Sequence, residues 1–162
     1  MHVLVTGGAG YIGSTLVRML IEKGYKTTVL DTLYFGTESL KDISDQIRII
    51  KEDIRYFDPN ILNGIDAVFD LAAISNDPSG ELNPKITLDI NYKGRNRVAK
   101  LSKKKGVSRY VLASSCSIYG YQEGLLNETS PVNPLTTYAK ANYLAEQSVL
   151  QLADTDLSLI HI

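Results

Sequence analysis

Two kinds of segment alternate along the whole chain. Short runs rich in apolar and β-branched residues have the length and content of strands buried in a sheet. They fall at 3–5, 27–30, 47–50, 67–71, 110–113 and 157–162. Between them lie segments whose apolar residues recur at helical spacing. In 11–23 the stripe is Ile12, Leu16 and Leu20, and Gly24 closes it, the pattern of a helix with one buried face. A short helix is predicted over 54–62. A long one is predicted over 85–105, with Ile86, Ile90, Val98 and Leu101 on related faces, and another over 137–152. Strands separated by helices imply right-handed crossovers and a parallel sheet covered on both sides. The expected fold is therefore α/β, a doubly wound parallel sheet in one domain. The longest irregular stretch, 119–136, holds Pro131 and Pro134 and is long enough to suggest a functional loop.

The turn after the first strand changes this from a fold to a candidate site. Thr6-Gly7-Gly8-Ala9-Gly10-Tyr11-Ile12-Gly13 satisfies two spacings, Gly8/Gly10/Gly13 as GxGxxG and Gly7/Gly10/Gly13 as GxxGxxG. Glycines here allow a tight turn, close backbone approach to a pyrophosphate, and helix packing against the strand. The helix that follows offers unpaired N–H groups and a positive dipole end to phosphates. Asp31 ends the second strand, at the distance of about 20 residues where a carboxylate accepts from a ribose 2′-hydroxyl and repels a 2′-phosphate. The pattern is that of the Rossmann fold, with NAD as the expected cofactor in preference to NADP.

Composition narrows the function further. The net charge is −1, which gives no pull toward nucleic acid or an anionic membrane. Lys103-Lys104-Lys105, before Gly106, reads as the solvated last turn of a helix, where cations complement the dipole. Cys116 is the only cysteine, which excludes an internal disulfide, fits a reducing compartment and reads as a small buried filler. His2 and His161 are the only histidines and lie far apart in sequence, so no metal site is expected. No apolar run approaches the roughly 20 residues of a membrane span, and the start is already a strand pattern rather than a leader. A cytoplasmic protein is expected.

Taken together, these residues resemble the extended short-chain dehydrogenase/reductases of the NAD-dependent sugar-nucleotide epimerase/dehydratase type. The likeness is carried by 6–13, Asp31, Asp53-Ile54, Leu71-Ala72-Ala73, Asn91, Ser114-Ser115-Cys116-Ser117-Ile118-Tyr119-Gly120, and Tyr138 onward. It implies cofactor contacts at Gly7, Gly10, Tyr11, Ile12, Gly13, Asp31, Asp53, Ile54, Leu71, Ala72, Ala73, Asn91 and Tyr138. Asp53 and Ile54 would meet the adenine, and Ala72-Ala73 would line the path to the nicotinamide ribose. Asn91 reads equally well as a buried amide bonded to backbone. Ser115 and Tyr138 match the catalytic hydroxyl and tyrosine. A tyrosinate can take a proton from a sugar hydroxyl while hydride passes to the nicotinamide. The resemblance also implies a nucleotide-sugar substrate and a homodimer through the two long helices. Relatives continue past the sixth strand into a part that builds most of the sugar pocket. The expectation is thus an NAD-binding domain over 1–162, truncated there, with the C-terminal substrate domain absent.

Four positions depart from the family pattern. The lysine expected four residues after Tyr138, which binds the ribose and acts on the tyrosine by its charge, is Asn142. An asparagine can hydrogen-bond ribose hydroxyls but brings no charge, and Lys140 points about 200° from Tyr138 at helical geometry. The acid–base pair of the dehydratases is Cys116-Ser117 here, which disfavours dehydration and leaves epimerase- or dehydrogenase-like redox. A frequent histidine is replaced by Asp70. Two functions are carried forward: an enzyme domain with Tyr138, Ser115 and Asn142 in its site, and a non-catalytic NAD-binding or sensing module.

Overall fold

The computed structural model describes residues 1–161; Ile162, expected in the sixth strand, lies outside the described residues. Six strands form one sheet: β1 His2–Thr6, β2 Lys26–Asp31, β3 Arg48–Lys51, β4 Ala67–Asp70, β5 Arg109–Leu112 and β6 Ser158–His161. Every neighbouring pair is parallel, in the order β3-β2-β1-β4-β5-β6. Alternation along β1 shows why both faces are apolar. Leu4 packs with Leu30, Val68 and Tyr110 in one layer, whereas Val3 and Val5 pack with Val29 and Ala67 in the other. Successive side chains leave a strand on opposite sides, so a run of three apolar residues feeds two cores.

The helices are α1 Tyr11–Glu22, α2 Asp77–Leu82, α3 Pro84–Leu88, α4 Arg95–Lys104 and α5 Thr137–Leu150. Three expectations need correction. The buried face of α1 is Gly13, Val17 and Leu20, rotated from the predicted stripe, because Ile12 is 66% exposed at the open end of the sheet. The helix expected over 54–62 is only a 3-10 turn, Pro59–Leu62, capped by Asp58; Pro59 supplies no N–H and fixes its own φ, which favours a short start over a continued helix. The long helix is not uniform over 85–105. It begins earlier, as α2 and α3, and passes through a π turn at Asp89–Gly94 before α4. A π turn inserts a residue and re-aims the side chains around it, and this one contains the fully buried Asn91. The lysines that end α4 are not merely solvated: Lys103 Nζ donates to the Leu152 carbonyl at 2.9 Å and Lys105 Nζ to Asn63 Oδ1 at 2.9 Å.

The chain turns to opposite sides of the sheet after β3, so the crossovers diverge between β1 and β4. A crevice opens there, outside the carboxyl ends of the strands. Among the described residues no helix is long and apolar enough to cross a membrane.

Candidate functional site

A cleft of about 830 Å³ occupies that crevice, lined by the turns after β1 to β5 and by α5. The glycine turn forms its edge. Gly7 has φ of 67°, a conformation that side chains disfavour, and its N–H donates to the Leu30 carbonyl at 2.9 Å. A Cβ on Gly13 would stand 2.2 Å from the Gly7 carbonyl oxygen and 2.7 Å from Gly8 Cα. The first turn of α1 therefore lies directly on the strand–helix turn. No side chain caps that end of α1, which leaves its N–H groups for a ligand.

Asp31 ties this turn to the next loop. One carboxylate oxygen accepts from Ala9 N at 3.0 Å and the other from Leu33 N at 2.8 Å. A carboxylate has about four lone-pair sites, so acceptor capacity remains for hydroxyls. Tyr34 and Phe35 follow it at the cleft rim, 77% and 94% exposed. Sequence reasoning missed these two, although a pair of aromatics before Gly36 in a loop is a usable signal. Across from them Ile54 is buried and lines the cleft, as does Asp53. Burial pushes the Asp53 carboxyl up, but hydrogen bonds from the Arg55 side chain and backbone, with its charge, outweigh this and hold it below the usual value.

The floor is backbone held by buried polar groups. Thr6 Oγ1 accepts from Leu71 N at 3.1 Å and Ala72 N at 3.2 Å while donating to Asp70 Oδ1 at 2.7 Å. Asn91 does not line the cleft. Its amide clamps one residue of the lining, accepting from Ile74 N at 2.8 Å and donating to the Ile74 carbonyl at 2.9 Å.

At the far end stands a network that the sequence did not reveal. Asp70 and Arg95 are 0% and 1% exposed. Asp70 Oδ2 accepts from Arg95 Nε at 3.2 Å and from the Tyr110 hydroxyl at 2.8 Å. Burial, then the Asp70 carboxylate, pushes the Tyr110 phenol well up, so it stays a donor. Arg95 also donates to the carbonyls of Asp70 and Ala113, and through Nη1 to Asn142 Oδ1 at 2.8 Å. Asn142 Nδ2 donates back to the Tyr138 carbonyl at 2.9 Å. Asn142 is thus committed within the protein, though it and Arg95 still line the cleft. This network also accounts for the departure at Asp70, which is the counter-ion of Arg95.

Tyr138 lines the cleft from the first turn of α5. That turn is capped by Thr136, whose Oγ1 accepts from Ala139 N at 3.0 Å, and α2 lies close against it: a Cβ on Gly80 would be 2.9 Å from Tyr138 Cβ. Of the adjacent pair, Ser114 and not Ser115 lines the cleft, with its hydroxyl on Glu146 at 2.8 Å. Ser115 caps the adjoining 3-10 turn Cys116–Tyr119, its Oγ accepting from Ser117 N at 3.2 Å. Cys116 is exposed rather than buried, because this turn follows the end of β5 and leaves the sheet. Ser117 Oγ donates to Asp77 Oδ2 at 3.0 Å, and Asp77 also accepts from Thr136 Oγ1. The chain therefore brings a carboxylate from α2 beside position 117, which its local sequence lacks. Lys140 is exposed and takes no part in the cleft lining.

Comparison with known proteins agrees with this geometry. The model of the NAD dependent epimerase/dehydratase family matches residues 3–160. The chain is 34% identical over 152 residues to a putative UDP-glucose 4-epimerase of Methanocaldococcus jannaschii, covering 91% of this chain and 49% of that protein. It is 34% identical to UDP-glucose 4-epimerase of Lactobacillus helveticus, covering 91% of this chain and 46% of the relative. Among solved structures, MoeE5 in complex with UDP-glucose and NAD superposes with a TM-score of 0.86 at 31% identity, over 99% of this chain and 52% of MoeE5. The UDP-N-acetylglucosamine 4-epimerase of Methanobrevibacter ruminantium gives a TM-score of 0.90 at 28% identity, over 99% and 53%. The chain spans about half the length of the curated relatives it matches. With a family match that spans nearly the whole chain, the glycine turn and Asp31 included, the chain belongs to the NAD-dependent epimerase/dehydratase family.

Proposed function

We propose that this chain is the NAD-binding portion of an oxidoreductase of the epimerase/dehydratase type that acts on a nucleotide sugar. The observation that carries the reading is the cleft at the switch of strand order, where the uncapped first turn of α1 and the Asp31 carboxylate face the same space. The residues fit a dinucleotide. The glycine turn leaves no room for a side chain at Gly13, so backbone N–H groups can reach a pyrophosphate. Asp31 would accept from the adenosine ribose, and Tyr11, Ile12, Asp53, Ile54, Leu71, Ala72 and Ala73 would enclose the cofactor. Bound NAD would supply a hydride acceptor at its nicotinamide ring. Tyr138 would exchange a proton with a sugar hydroxyl, and Ser115 would donate a hydrogen bond to the same oxygen. A cytoplasmic location accords with the single free thiol of Cys116.

Calorimetric titration of the chain with NAD and NADP tests this reading. NAD is expected to bind at least about tenfold more tightly, because a 2′-phosphate would meet the Asp31 carboxylate. Asp31→Ala should weaken NAD binding and narrow the gap. Equal or tighter binding of NADP by the unaltered chain overturns the assignment of Asp31.

One observation favours a second reading, a non-catalytic NAD-binding module. The family's lysine is replaced by an asparagine whose carbonyl oxygen is already bonded to Arg95. Bound NAD that is neither reduced nor able to support any change at a sugar carbon when UDP-glucose is added to the complete protein would favour the module.

We further propose a homodimer through the face formed by the π turn, α4 and α5. Tyr92, Asn96, Arg97, Lys100 and Leu101 line a shallow groove there, and Leu144 on α5 is 41% exposed. Sedimentation equilibrium should show dimer at micromolar concentration. Monomer alone at high micromolar concentration contradicts the proposal.

A further inference from the structure

We propose that Arg95 is a positioning residue for the cofactor: held by Asp70, it fixes the Asn142 amide so that this side chain can present only N–H donors to the cleft. The inference rests on the NAD-binding reading above and deepens it at one end of the site.

Two independent constraints set the amide's orientation. Arginine carries donors and no acceptor, so the Asn142 atom 2.8 Å from Arg95 Nη1 must be the oxygen. A backbone carbonyl only accepts, so the atom 2.9 Å from the Tyr138 oxygen must be the nitrogen. A flipped amide would face donor to donor and oxygen to oxygen at once. Of the two Nδ2 hydrogens, the bond to Tyr138 uses one. Asn142 stands in the cleft wall at 1% exposure, and the other hydrogen is what its amide has left to offer a ligand. A ribose hydroxyl there would accept, as it would from an ammonium. The donor character expected at this position is thus retained, while the positive charge stands one residue behind it, in Arg95, balanced by Asp70 at 3.2 Å.

The arrangement makes Asp70, Arg95 and Asn142 interdependent. A lysine at position 142 would give Arg95 Nη1 no acceptor and would place a second cation beside a guanidinium that is 1% exposed. Like charges at such a distance disfavour one another strongly away from water. With a small residue at 95 instead, the introduced ammonium has the Asp70 carboxylate as its partner.

Three variants test this, read by unfolding midpoint without NAD and by NAD titration. Asn142→Asp keeps an acceptor toward Arg95 and removes the donor. It should bind NAD about tenfold more weakly, the size of one lost hydrogen bond to the ligand, and lower the midpoint, since its second oxygen then faces the Tyr138 carbonyl. Asn142→Lys should lower the midpoint and weaken NAD binding. Arg95→Thr added to Asn142→Lys should recover midpoint relative to Asn142→Lys alone. NAD affinity in Asn142→Asp equal to that of the unaltered chain, or a double variant no more stable than Asn142→Lys, overturns the proposal. If the unaltered chain binds no NAD, the functional reading itself fails. If it binds NAD and Asn142→Asp binds it equally, only the role of Arg95 and Asn142 fails.

Discussion

Arg95→Met is expected to destabilise the chain by about 3–5 kcal/mol, the usual consequence of removing one member of a buried ion pair. Asp70 is fully buried, and Thr6 and Tyr110 would go on donating to it. Two neutral hydroxyls cannot replace a guanidinium charge, and the carbonyls of Asp70 and Ala113 lose their donor as well. Much of this cost belongs to the stranded carboxylate rather than to the pair itself. Asp70→Leu combined with Arg95→Met should therefore be less damaging than Arg95→Met alone, since a matched apolar replacement removes both charges. Urea unfolding of both variants measures the difference. A single variant within about 1 kcal/mol of the unaltered chain would mean that water reaches the pair.

Gly13→Ala should have the largest effect on cofactor binding. The added Cβ meets backbone, not a movable side chain: the Gly7 carbonyl oxygen at 2.2 Å and Gly8 Cα at 2.7 Å. Relief requires α1 to move away from the turn, which carries its N–H groups off the pyrophosphate position. NAD affinity is expected to fall at least about 100-fold, with a loss of about 1–3 kcal/mol in stability from overpacking. Gly10→Ala is the graded comparison, since its Cβ would lie 3.2 Å from the same oxygen, and a smaller loss is expected. Unchanged NAD binding in Gly13→Ala would show that the turn yields easily and is not the rigid cradle described above.

Much of the site was open to a reading of residues because its parts are local. The glycine turn, its helix and Asp31 lie within one β-α-β unit, where spacing alone sets neighbourhood. Asp53, Ile54 and Leu71-Ala72-Ala73 follow strand ends, and a parallel sheet gathers all strand ends on one side. The aromatic pair Tyr34 and Phe35 could have been picked out by the same logic. Ser115 is a harder case, since only packing decided that Ser114 reaches the cleft and Ser115 caps a turn.

The sequence by itself determined the strand and helix alternation, the parallel sheet, the end at which a dinucleotide would bind, and the carboxylate that would read its ribose. These follow from periods of two and of 3.6 and from backbone demands on glycine, which act over a few residues. The tertiary structure alone decided the rest. It rotated the buried face of α1 away from Ile12, set a π turn where Asn91 clamps Ile74, left Cys116 exposed, and brought Asp77 to Ser117. It also joined Asp70, Arg95 and Asn142, which lie 25 and 47 residues apart along the chain. No local pattern encodes that junction. A buried charge must find its partner wherever the packed elements place one, and here that partner comes from a different strand and a different helix.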